Sequence, residues 1–328
     1  MGTARGSARL LVALFGPTSS GKTRLSIELC LRMAADTGLE PVVVSADSRQ
    51  VYRYMDIGTS KTTASEMRGI RHEMLSVADP ASKYELESYV TAARGHIDDC
   101  WSRGGVPVIV GGTAVYVKAL LEGWSVDRTA ATLASLRRDF PRGMGEDAYA
   151  TLRRLDRSAA ARVHPNNYDG VINALAAAMT RPEGTRQAKA DTADAANLRT
   201  VVLGLDRPAR ELDSRVARTF DNQMEGGLLD EVQSLSARYD LESRRRANSN
   251  NQVLHTHGYR EFFDVAGERG KPLRTLSSAD LDVIRERVVA HIQAYTRRQR
   301  GAFRKLPGVR MIRSTDHAYQ AVRPALRA

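Results

Sequence analysis

Short, unbroken apolar runs alternate with helical stretches through the first third of the chain. Leu10 to Phe15, Pro41 to Ser45 (PVVVS) and Val106 to Val110 (VPVIV) are each strand-length and apolar on both faces. Tyr84 to Arg103 has a helical pattern, and so does the stretch through Tyr116, Leu120 and Leu121. Strands of this kind separated by helices predict an open parallel sheet covered on both faces. Residues 124–199 break the pattern: they are rich in Ala, Arg and Asp, lack strand-like runs, and are interrupted by Pro141 and Pro165. An inserted helical subdomain is expected there. The run Thr200 to Leu205 (TVVLGL) returns the chain to the sheet, and 208–304 is again mostly helical. The expected fold class is therefore α/β. Its core is formed by 1–123 and 200–328, and 124–199 is an inserted helical substrate-binding subdomain. The polar segment Ser243 to Asn251 (SRRRANSNN) reads as a loop.

Eight residues follow the first strand: Gly16-Pro17-Thr18-Ser19-Ser20-Gly21-Lys22-Thr23. They fit G-x-x-x-x-G-K-[ST] and open a helix. The glycines let the backbone turn so that several N–H groups face phosphate oxygens. Lys22 adds a charge, Thr23 offers a hydroxyl to Mg²⁺, and the helix directs its positive end at the same anion. The loop specifies phosphate or pyrophosphate, not the chemistry that follows. In open parallel sheets ligands sit beyond the carboxyl ends of the strands, which places Asp47 and Thr113 on the same rim as the loop. Asp47 can hold Mg²⁺ or act as a general base there. Arg49 and Gln50 can bond a base edge, and a nearby Tyr can stack on one.

Composition narrows the partners. With 49 basic and 38 acidic residues the formal charge is +11, which favours polyanions such as nucleic acid or phosphorylated ligands. Arg244 to Arg246 and the Arg297, Arg298, Arg300, Arg304 run are candidates for gripping RNA backbone or simply for a solvated face. Two cysteines, Cys30 and Cys100, give neither a disulfide framework nor a zinc spacing. No apolar segment reaches a membrane-spanning length, and a reduced, cytoplasmic location is expected. His255 and His257 have ligand-like spacing without an evident third ligand. Trp101 and Trp124 read as core or domain-edge residues.

Blocks in one order carry a family resemblance: GPTSSGKT (16–23), SADSRQVYRYMDIGTSK (45–61), GGTAVYVKALLEG (111–123), HPNN (164–167), LDSRVARTFDNQMEGGLLDEV (212–232), HGYRE (257–261) and RRQRGAF (297–303). Together they resemble the tRNA dimethylallyltransferases, and the second block is the specific one. The resemblance implies that the loop from Gly16 to Thr23 holds the pyrophosphate of dimethylallyl diphosphate, with Mg²⁺ near Thr23. It implies that Asp47 takes a proton from the exocyclic amine of an adenine, that Thr113 bonds this region, and that Arg215 neutralises pyrophosphate. Ser48, Arg49, Gln50 and Tyr259 are implied on the acceptor side, and the insert over the anticodon stem. A monomer acting on tRNA is expected, with free adenine nucleotides as the alternative acceptor. A small-molecule kinase or a non-catalytic RNA-binding module fits the second block less well. Three departures stand out. Asn167-Tyr168-Asp169 and Asn173 replace an arginine-bearing stretch, and Asp169 adds a negative charge. Ala302 stands where an aromatic is expected, and Thr256-His257 where an apolar pair is.

Overall fold

A computed structural model describes residues 9–121, 135–179, 198–246, 250–304, 306 and 308–327. Six parallel strands form one sheet: β1 (Arg9–Phe15), β2 (Pro41–Ser45), β3 (Arg71–Glu73), β4 (Val106–Gly111), β5 (Leu198–Leu205) and β6 (Arg310–Ile312). Their spatial order is β3-β2-β4-β1-β5-β6. The chain leaves β1 toward one edge and leaves β4 toward the other, so the loops after these neighbours diverge. That opens the crevice in which parallel sheets bind ligands.

Burial explains the apolar runs. Every residue of β2 and β4 is buried, as is β1 beyond Arg9. On one face β1, β2 and β4 pack against the helices Lys22–Thr37 and Thr315–Leu326 through Leu14, Leu29, Met33, Val108, Tyr319 and Val322. The two strands that the sequence pattern did not reveal, β3 and β6, have three residues each and lie at the sheet edges. Such pieces carry too few side chains for a period-2 signal. Trp101 is half-buried near the end of the helix Leu86–Ser102, its indole N–H donating to the Leu10 carbonyl at 2.9 Å; Trp124 lies outside the described residues.

The chain divides into two compact units, Met1–Leu121 with Asn197–Ala328, and Glu122–Ala196. In the second, the helices Gly145–Leu155 and Tyr168–Met179 enclose a small core of Leu152, Val171, Ile172 and Leu175, with alanines between them. Its Asp169 accepts from Arg142 at 3.3 Å and lies 3.9 Å from Arg137, so the charge expected to repel RNA is locally compensated. The 243–251 stretch is only partly loop. Leu241–Arg246 is helical, and Asn251 is buried, its Oδ1 accepting from the Val253 N–H at 3.0 Å.

The carboxyl ends of β2 and β4 meet more closely than a side chain would allow. A Cβ on Gly111 would lie 2.0 Å from the Ala46 carbonyl oxygen. Around it the Ala46 N–H donates to Val110 and the Thr113 N–H to Ala46. Gly111→Ala should therefore force the two strand ends apart, because backbone cannot yield as a flexible side chain does. A stability loss of roughly 1–3 kcal/mol is expected, read as a lower denaturation midpoint in urea with an unchanged slope.

Candidate active site

The phosphate loop is held from several directions. Gly21 has φ +90° and caps the Lys22–Thr37 helix without a side-chain bond, leaving the helix N-terminus open to the cavity. Ser19 has φ +60°, an uncommon conformation for a residue with a side chain, and its hydroxyl meets Thr219 Oγ1 at 3.2 Å. Ser20 is buried, and its Oγ has no hydrogen-bond partner. Gln299 acts as a brace: its Oε1 accepts from the Thr18 N–H at 3.0 Å and the Thr18 hydroxyl at 3.2 Å, and its Nε2 donates to the Gly112 carbonyl at 2.7 Å. The brace joins the loop after β1 to the loop after β4 through one buried side chain from the helix Ser278–Phe303. Sequence reading placed Gln299 in a family block but assigned it no role, because nothing local marks a residue 281 positions away as a partner of Thr18.

Lys22, Thr23, Asp47 and Arg215 all line one cavity of about 580 Å³. Burial lowers the Lys22 pKa, and the nearby Asp47 charge raises it back in part. Asp47 spends one oxygen: its Oδ1 accepts from the Arg49 N–H at 2.9 Å. Thr113 is behind it, its Oγ1 accepting from the Ser48 N–H at 2.9 Å and donating to Ser48 Oγ at 3.3 Å. The structure thus places Thr113 as a support for the 47–48 turn rather than on the cavity wall. Two arginines converge on Gly21: a Cβ there would be 3.8 Å from Arg207 Nη2 and 3.9 Å from Arg215 Nη1. Glu211 Oε1 receives both, Arg207 Nη1 at 3.0 Å and Arg215 Nε at 2.9 Å. Arg207 also donates to the Ser20 carbonyl at 2.6 Å, a contact the sequence did not suggest.

The turn 56–60 also lines the cavity, through Gly58, Thr59 and Ser60. Glu231 accepts from three successive N–H groups, Asp56 (2.9 Å), Ile57 (2.8 Å) and Gly58 (3.1 Å), and from the Tyr259 hydroxyl at 2.6 Å. Tyr259 is fully buried behind this turn. Tyr259 is expected on the acceptor side; in the structure its hydroxyl donates to Glu231 and its ring packs against Gly58. Gln50 lines the cavity, yet its Nε2 donates to the Thr59 and Ser60 carbonyls, and its Oε1 faces Ser45 Oγ at 3.4 Å. Arg49 Nη1 donates to Gln252 Oε1 at 3.3 Å. Of the C-terminal arginine run, Arg300 and Arg304 are paired with Asp206 and Arg297 lies 3.9 Å from Asp213, whereas Arg298 reaches the cavity. The side chains of Arg244 to Arg246 lie outside the described residues. Ala302 is exposed, and the neighbouring Phe303 stacks on Phe15 with centroids 4.7 Å apart.

His257 does have companions that its spacing from His255 concealed. Glu261 Oε1 sits 3.1 Å from His257 Nδ1 and 2.7 Å from His291 Nδ1. The three ligand atoms lie within 4.8 Å of one another. Arg260 Nη2, however, stands 3.4 and 3.3 Å from the same two ring nitrogens. A guanidinium cation there supplies the positive charge that a metal would bring, and the group reads as a compensated network. Burial alone would push the Glu261 carboxyl up; hydrogen bonds from His257, His291 and the backbone outweigh it and bring its pKa to about 2.

A glycine-rich P-loop after β1, a carboxylate just past the end of β2 and an arginine from the helix Ala209–Glu225, all on one cavity, define a P-loop α/β protein. Family models agree on the class. "IPP transferase" matches residues 50–306 and "Isopentenyl transferase" residues 9–81. The chain is 36% identical over 302 residues to a tRNA dimethylallyltransferase of Roseiflexus castenholzii, covering 91% of each. It is 39% identical over 232 residues to that of Thermomicrobium roseum, covering 69% of this chain and 67% of the relative. The solved full-length tRNA isopentenylpyrophosphate transferase of Bacillus halodurans superposes with a TM-score of 0.65 at 27% identity, over 98% of this chain and 97% of that one. A eukaryotic dimethylallyltransferase, at 22% identity and TM-score 0.68, shares the fold. The chain belongs to the IPP transferase family.

Two outcomes follow from this geometry. A Cβ on Gly58 would lie 2.4 Å from the Tyr259 ring, so Gly58→Ala should displace the turn. A stability loss of about 1–3 kcal/mol is expected, and in a Tyr259→Ala background the added Gly58→Ala should cost markedly less, a coupling read from a double-mutant cycle of urea unfolding. The Glu261 pKa is depressed in the fold from an unfolded value of about 4.3, so its contribution is present above that pH. It is lost as pH falls toward about 2. Glu261→Gln should therefore flatten stability against pH across that interval, as followed by urea unfolding.

Proposed function

We propose that this chain transfers a dimethylallyl group from dimethylallyl diphosphate to the exocyclic amine of an adenine in tRNA, beside the anticodon. The observation that carries the reading is the joint placement of Lys22, Thr23, Arg215 and Asp47 on one cavity wall. The cavity has the size usual for small-molecule sites, and the loop binds the diphosphate end. As the allylic carbon–oxygen bond breaks, negative charge grows on the leaving diphosphate. The loop N–H groups, Lys22 and Arg215, which share the lining of the cavity, would stabilise that charge with little reorganisation. The adenine nitrogen bonds to the allylic carbon, and Asp47 Oδ2 takes one proton from it. Diphosphate departs with the bonding electrons. An adenine amine is a weak nucleophile because its lone pair is delocalised, so a positioned base contributes roughly 10²–10⁴. The base must leave its stack to enter, as in other enzymes that work on nucleobases.

Mg²⁺ fits the donor set. Thr23 Oγ1 and the carboxylate of Asp47 line the same space, and hydroxyl and carboxylate oxygens are the hard ligands this cation takes. Thr23 together with diphosphate oxygens would hold it, where it would neutralise leaving-group charge. Action as a monomer is part of the proposal. Among the described residues no helix is long and apolar enough to cross a membrane, and a cytoplasmic site of action is part of the proposal. The second compact unit is assigned to the RNA acceptor, its Asp169 being offset by Arg142.

Incubation with dimethylallyl diphosphate and either unmodified anticodon stem-loop RNA or AMP tests the acceptor, with mass spectrometry reading the five-carbon gain. RNA is expected to gain it; gain on AMP alone would overturn the tRNA reading. Asp47→Asn should lower turnover by roughly 10²–10⁴ with donor affinity little changed. Near-normal turnover would remove Asp47 from the role of base. Lys22→Ala should sharply weaken donor binding in calorimetric titration while leaving the melting temperature within a few degrees.

A further inference from the structure

We infer that Gln223 reads the acceptor amine: its side-chain oxygen accepts the amine hydrogen that Asp47 does not take. This rests on the proposed transfer to an adenine amine. Two carboxamides line the cavity, Gln50 and Gln223. The Gln50 oxygen is turned toward Ser45 at the end of β2, as described above. Gln223 is held the other way. Its Nε2 lies 2.9 Å from the Ile57 carbonyl, 3.2 Å from the Gly58 carbonyl and 2.9 Å from Ser60 Oγ. Two of these are carbonyls, which only accept, so the nitrogen must face the turn and the oxygen must face away from it. Among the described residues that oxygen has no protein partner, and it is not sealed from solvent.

The helix Ala209–Glu225 adds the second half of the geometry. Arg215, Thr219 and Gln223 recur at every fourth position and all line the cavity. Arg215 is at the diphosphate end, beside Gly21. Eight residues of helix place Gln223 roughly 12 Å further along, against the turn 56–60. One rigid helix thus marks both ends of the reaction path. An adenine amine has two hydrogens. Transfer to Asp47 removes one, and an acceptor for the other fixes the rotation of the C–N bond while the nitrogen meets the allylic carbon. The turn that aims Gln223 is fastened by Glu231, so the oxygen is oriented before the base arrives, and little entropy is lost on binding.

The test compares two anticodon stem-loop RNAs, identical except for adenine or purine, which lacks the amine, at the modified position. Binding is measured by fluorescence anisotropy without donor, for wild type and Gln223→Leu, with melting temperatures beside it. Wild type should prefer the adenine RNA, and the variant should lose about 3–10-fold of that preference, the value of one neutral hydrogen bond. Gln223→Met, unbranched and of similar length, repeats the comparison if the leucine disturbs the helix. A variant that weakens both RNAs equally makes Gln223 a prop for the turn and overturns the inference. If wild type neither binds nor prenylates the stem-loop, the tRNA reading itself fails. Full adenine preference in both variants, with wild-type turnover intact, sinks the Gln223 inference alone.

Discussion

The site depends on the contact between Gly111 and the Ala46 carbonyl. At 2.0 Å from a hypothetical Cβ, the backbones of β2 and β4 touch where their loops begin. That approach lets the Thr113 N–H reach Ala46 and the Thr113 hydroxyl hold Ser48. The 47–48 turn is then fixed against the phosphate loop, whose own Gly16 N–H donates to Gly111. A carboxylate whose role is to take a proton must sit within hydrogen-bond reach of the reacting nitrogen. A long exposed loop could not hold it there. Two strand ends joined by backbone bonds can, because their positions are set by the whole buried sheet.

Long-range polar braces complete what the sheet begins. Gln299 ties Thr18 to Gly112, Glu211 gathers Arg207 and Arg215, and Glu231 receives three N–H groups of the turn 56–60. Gln299 and Glu231 are side chains from the second half of the chain acting directly on segments of the first half, and Glu211 does so through Arg207, which donates to the Ser20 carbonyl. Hydrogen bonds to charged groups are worth more than neutral ones, about 1.5–3 kcal/mol each, and their loss inside the fold leaves orphaned N–H groups. The braces therefore couple the helices after β5 to the phosphate loop and the acceptor wall. The first 121 residues carry the motifs but do not by themselves hold them in place.

How far the sequence could be read follows from this division. Strands buried on both faces announce themselves as apolar runs, so β1, β2, β4 and β5 were legible to within a residue or two. The three-residue edge strands Arg71–Glu73 and Arg310–Ile312 were not. The phosphate loop was legible because its function needs contiguous residues. A tyrosine in a family block, such as Tyr259, gives no sign in sequence of whether its hydroxyl meets a ligand or, as the structure shows, a glutamate. Gln50 and Gln223 show the same limit. Both are glutamines near the site, and only the carbonyls around each nitrogen reveal which oxygen is free. The third member of the His257–Glu261 pair was hidden because His291 comes from a helix thirty residues beyond Glu261.

The net charge of +11 also changes meaning once the partners are known. Arg300 and Arg304 serve Asp206, Arg285 forms two bonds with Asp221, and Arg287 two with Glu268. Arg260 is engaged with the His257–Glu261–His291 network. These guanidiniums hold helices together before any polyanion arrives, and to bind RNA phosphate they would have to give up a carboxylate. Counterion release upon RNA binding scales with phosphates neutralised by available cations, so it is smaller than a count of arginines implies. Arg298 differs in lining the cavity, its guanidinium 5.9 Å from the centroid of the Tyr295 ring. Bulk charge is therefore a poor guide to what this chain can grip, because the carboxylates that fasten its helices set how many cations remain available.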